Sequence, residues 1–93
     1  MIQEYSEKEV TDMASAQLEK AMELAPIVER VHGPGHPEMT RVRELTEAVS
    51  KNENLDEAFA ELRTLTDNYA PPADTCETVE ALYAALQTVD KSR

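Results

Sequence analysis

Tryptophan is missing from this 93-residue chain, and the aromatic side chains stop at Tyr5, Phe59, Tyr69 and Tyr83. A core with so few rings has to be built from Leu, Val, Met and Ala, the side chains that pack between helices. There is a single cysteine, Cys76. That excludes an intrachain disulfide and fits a reducing, cytoplasmic setting. No run of apolar residues approaches the roughly 18–20 needed to span a bilayer. The first residues carry neither a basic start nor an apolar stretch, so no signal peptide is expected. No segment alternates apolar and polar residues with period two, which excludes any convincing strand. Basic residues are also scarce. Nine Lys and Arg stand against 19 Asp and Glu, a net charge of −10. So acidic a surface repels phosphate backbones and anionic lipid, and argues against nucleic acid and membranes as partners.

Enough remains to fold. The hydrophobic fraction of 41% is ordinary for a folded domain. Residues 1–93 are read as one small helical-bundle domain, of a size that buries a modest share of its surface and gains from packing against a second copy. Ser6-Glu7-Lys8-Glu9 has the form of a capping box. After it Val10, Met13, Leu18, Ala21, Ala25, Val28 and Val31 recur every three or four residues, the signature of one helix face. The stripe keeps its phase across Pro26, so a proline-kinked single helix over about 7–32 is expected, ended by Gly33 as a left-handed cap. Gly33-Pro34-Gly35-His36-Pro37 is a turn. A second helix over 37–50 presents Met39, Val42, Leu45 and Val49. A third, over 55–69 and capped by Asn54, presents Leu55, Phe59, Leu62, Thr66 and Tyr69. Ala70-Pro71-Pro72-Ala73 stops it, and Asp74-Thr75-Cys76-Glu77 caps a fourth helix over 75–90 that presents Val79, Leu82, Tyr83, Leu86 and Val89. The fold class is all-α: an up-down four-helix bundle with a long first helix and shortened second and third helices.

Two stretches carry a resemblance. Val28 through Glu38, with its Val31-His32-Gly33 and His36-Pro37-Glu38 elements, and Leu62 through Cys76, with Tyr69-Ala70-Pro71-Pro72, resemble two loops of the hemerythrin-like di-iron proteins that repair iron–sulfur clusters. Ala81-Leu82-Tyr83 extends the match into the last helix. The resemblance implies a four-helix bundle and a role near iron–sulfur repair in the stress response. That family holds two irons with His and Glu from all four helices, and here the pattern departs from it. Thr11 falls where its first helix presents a ligand His, Asn and Leu occupy residues 52–56 where another is expected, and the chain ends at Arg93 before the last helix supplies its pair. With two His in the chain, one subunit is not expected to assemble that centre.

The reading that follows is a non-catalytic, metal-free relative that acts as a protein-binding or scaffold module, with no enzyme activity and no cofactor. A first helix of about 26 residues extends on the order of 39 Å, against about 21 Å for its neighbours. Val10, Met13 and Leu18 on its first half therefore need covering, and a homodimer is expected to cover them. An iron–sulfur protein or a full-length family relative are the other partners considered. The alternative is an iron-binding repair protein with a metal site formed between subunits. Glu29-Arg30-Val31-His32 has the Glu-x-x-His spacing of di-metal bundles, and His36 and Glu38 lie close by in sequence. The plainer account makes Glu29 a solvated helix residue and His32 a helix-end residue. Cys76 is a candidate redox thiol because the start of a helix lowers a thiol pKa, or else a small buried side chain. Glu53, Glu57 and Glu61 stack one turn apart and read as a solvated face.

Overall fold

Helices form wherever the apolar stripes predict them. In the computed structural model, which describes the backbone of residues 2–92 and the side chains of residues 15–92, α1 spans Ile2–His32, α2 Glu38–Ser50, α3 Leu55–Leu65 and α4 Glu77–Lys91. No strand occurs among the described residues. α1 packs against both α2 and α4, and α2 packs against α3. Each helix turns the same apolar residues inward that its periodicity selects. Ala21, Ala25 and Val28 come from α1, Met39 and Val42 from α2, Phe59 and Leu62 from α3, and Leu82, Tyr83 and Leu86 from α4; all are buried. Removing each large side chain from water contributes about 1.5–3 kcal/mol, the main term holding the four helices together.

Several boundaries differ from the sequence expectation, each for a local reason. α1 runs through Ser6, so the helix does not begin at the Ser6–Glu9 box. Pro26 sits inside α1 with its ring exposed, where it gives up a main-chain donor on the solvent side. Gly33 is not a left-handed cap, since no glycine has positive φ. Its amide bonds to the Glu29 carbonyl at 2.9 Å. A Cβ there would collide with that same carbonyl oxygen, so glycine is required by contact rather than by handedness. Val31 points outward, 58% exposed. Asn54 enters α3 in the left-handed region with no side-chain cap; its carbonyl accepts the Ala58 amide instead.

The largest departure is the end of α3, at Leu65 rather than residue 69. Thr66 turns its hydroxyl back to the Leu62 carbonyl at 2.7 Å, and the same oxygen accepts the Tyr69 amide at 2.8 Å. Asp67, Asn68 and Tyr69 then take left-handed φ values of 52°, 61° and 66°. The reversal returns the Tyr69 ring to the core, and its hydroxyl donates to Asp90 of α4 at 2.8 Å. Arginines link neighbouring helices at the rim: Arg43 to Glu29 of α1, Arg41 to Glu61 of α3, and Arg63 to Asp90 of α4. Glu61 is therefore an ion-pair partner and not simply part of a solvated column. The Arg41 guanidinium holds its carboxyl below the ordinary range.

Candidate functional site

The two loops that carry the family resemblance meet. His32 is the last residue of α1, and Cys76 is the residue from which α4 starts. They lie 44 positions apart in the chain, yet His32 Nε2 stands 3.1 Å from Cys76 Sγ. The thiol is free and exposed. Its pKa is lowered from 9.0 to about 6, first by the His32 hydrogen bond and then by the backbone amide and hydroxyl of Thr78, with the Val79 amide adding to them. Cys76 has extended backbone angles, so the sulfur sits ahead of the first free amides of α4. Those amides and the positive end of the helix favour the anion. The lowered pKa favours a thiolate at neutral pH, beside the His32 ring and open to solvent. Such a pair attacks electrophiles and is the form of cysteine that peroxide oxidises.

A second imidazole joins the same two loops. His36, in the turn between α1 and α2, places Nδ1 3.2 Å from Glu38 Oε2 and Nε2 3.0 and 3.1 Å from the two Asp74 oxygens. The Asp74 hydrogen bond is the largest cause raising the His36 pKa above 6.5, and Glu38 adds to it. Asp74 is lowered in turn, chiefly by His36. Asp74 thus serves the opposite loop and does not cap α4, the role its sequence position suggests. Gly33, Gly35 and the prolines at 34, 37, 71 and 72 shape the two connections that bring these four side chains together.

The four residues considered for a metal do not converge as a set. Glu29 receives Arg43 at 2.7 Å, and Arg43 also reaches Glu47 at 2.8 Å. His32 faces Cys76, while His36 is flanked by Glu38 and Asp74. Among the described residues no group of three or more His, Cys, Asp or Glu is placed to hold a metal ion. Of the expected contact residues, Leu18 is partly buried against the core. It lines an open groove with Ser15, Glu19, Met22, Glu23 and Ser50. Val10 and Met13 lie outside the residues whose side chains are described.

Sequence reasoning placed Cys76 at a helix start but found it no base, because the base arrives from the other loop. Asp74 was missed as a partner for the same reason. The available signal was that both resembling stretches are inter-helix connections separated by two helices, which in a bundle fall at one end. No family model, curated protein or solved structure matches the chain.

Proposed function

We propose that this protein is a non-catalytic helical module that works through protein contacts, a metal-free relative of the iron–sulfur cluster repair proteins, assembled as a homodimer. The reading includes an up-down course for the four helices and a bend at Pro26. One observation carries it: the disproportion of α1. Its 31 residues extend about 46 Å, while α2, α3 and α4, of 13, 11 and 15 residues, extend about 20, 17 and 22 Å. Two contacts indicate where the shorter helices lie along it. His32 at the end of α1 meets Cys76 at the start of α4, and Ser50 at the end of α2 shares a groove with Ser15, Leu18 and Met22. Running back from His32, α2 and α4 are used up near residue 17, and the first half of α1 lies beyond them. Its stripe at Val10 and Met13, continued by Leu18, then calls for apolar cover. A second copy offers the same surface in a self-complementary contact. An iron–sulfur protein or a longer relative are the competing occupants.

Light scattering across a dilution series tests the reading. A dimer at micromolar concentration that Val10→Glu with Met13→Glu converts to a folded monomer is the expected result. Monomer at every concentration overturns it. In the alternative, an iron site between subunits, the Glu29 carboxylate is already engaged by Arg43 and the His36 ring by Glu38 and Asp74. Iron addition is therefore expected to leave thermal stability unchanged and to produce no diferric absorption band.

A further inference from the structure

The connection between α3 and α4 is long, and its second half has few means of attachment. Pro71 and Pro72 have no amide hydrogen to donate. The amide and hydroxyl of Thr75 both bond back to the Pro72 carbonyl, at 3.2 and 2.6 Å, within the same stretch. The polar links from this stretch to the α1–α2 turn run from Asp74 to His36 and from Cys76 to His32. Asp74 itself leans over the surface, with its side chain 75% exposed. Position 36 is therefore where the two loops are fastened by charge.

The geometry at His36 specifies a protonation state. Both ring nitrogens face carboxylates, Nδ1 at 3.2 Å from Glu38 and Nε2 at 3.0 Å from Asp74. A neutral imidazole has one N–H and one lone pair, so it can satisfy one of these carboxylates and presents a lone pair to the other. The imidazolium donates to both. We infer that His36 is a pH-operated clasp: the cationic ring holds the 70–76 connection against the α1–α2 turn, and loss of its proton releases that connection.

The ionisable groups around the clasp come from every neighbouring element. They are Glu38 at the start of α2, Asp74 and Cys76 on the connection, His32 at the end of α1, and Tyr83 of α4, which borders Glu38. Their signs agree with the direction of release. The His36 pKa is raised, so the cation persists above 6.5 and is lost as pH rises through the raised value. Asp74 is lowered, so the anion persists until strong acid.

The test is an NMR titration of the full chain from about pH 5 to 9, following the His36 ring carbons and the Asp74, Thr75 and Cys76 amides. The loop amides are expected to shift with the midpoint of the His36 ring. Asp74→Asn is expected to bring the ring midpoint down towards 6.5 and to abolish the shared transition. If that variant proves unfolded by circular dichroism, Glu38→Gln supplies the same readout, again with a lowered ring midpoint. Loop amides that stay still while the ring titrates, or a ring midpoint indifferent to both substitutions, overturn the clasp.

Discussion

Replacing His32 by alanine isolates the largest cause acting on Cys76. In the intact protein the thiol titrates at about 6, against 9.0 without its neighbours. At pH 7 about nine-tenths of it is then thiolate, compared with about one part in a hundred for the unperturbed thiol. The gain in reactive form, about 90-fold, is not the gain in rate. A thiolate of lower basicity is a weaker nucleophile, and a Brønsted coefficient of about 0.4–0.5 makes each ion about 20-fold slower. The net advantage at pH 7 is about fourfold, and it reverses above about pH 7.7, where a twentieth of the more basic thiol is ionised and outruns it. His32→Ala removes the first-ranked contribution and leaves the Thr78 and Val79 donors, so its midpoint is expected to rise while staying below 9.0. His32→Gln, which keeps a neutral donor, is expected to fall between the two. The assay is the iodoacetamide rate against pH on protein confirmed folded by circular dichroism. A wild-type midpoint at 8 or higher, or a midpoint that His32→Ala leaves in place, refutes the assignment of the imidazole as the group that ionises the thiol.

The remaining predictions concern stability, read by urea denaturation. Thr66→Val removes the acceptor of the Tyr69 amide in a site that is 3% exposed, and costs about 1–3 kcal/mol. Thr46→Val removes only a hydroxyl that bonds back to the Val42 carbonyl and is expected to be near neutral; equal costs for the pair contradict the distinction. Gly33→Ala forces the chain away from the Glu29 carbonyl and destabilises, whereas Gly35→Ala meets its nearest neighbour at 3.9 Å and is tolerated. Glu61 and Asp74 have lowered pKa values, so they contribute stability above their unfolded values of 4.5 and 3.8 that is lost as pH falls through the folded ones. The urea midpoint is expected to drop on acidification below 4.5, and Glu61→Gln is expected to flatten part of that drop.

Local periodicity made the helices legible because burial imposes it. Met39, Val42, Leu45 and Val49, spaced three and four apart, are buried as their spacing predicts, and so are Val79, Leu82, Leu86 and Val89. Periodicity misjudged the end of α3 because Tyr69 returns to the core through a left-handed reversal instead of another helical turn. Both routes put an apolar residue at the same interval. Val31 keeps the phase of the α1 stripe but lies at the helix end, past the apolar neighbours that cover Val28. The candidate site was legible as two separate loops and illegible as one place. The pairings His32–Cys76 and His36–Asp74 span 44 and 38 residues, and nothing in the spacing of either loop names its partner in the other.

Three successive residues at positive φ, Asp67 to Tyr69, bear on the order in which the chain assembles. Each left-handed residue other than glycine costs roughly 1 kcal/mol, and the end of α3 returns part of it: the Thr66 hydroxyl accepts the Tyr69 amide, and the Asn68 amide bonds to the Arg63 carbonyl at 2.8 Å. The compensating contacts, the covered Tyr69 ring and its bond to Asp90, require α4 in place. The Tyr69 ring is therefore expected to lock in late, after α3 and α4 have found each other. Substitutions at Asn68 are expected to alter the unfolding rate while leaving the folding rate nearly unchanged.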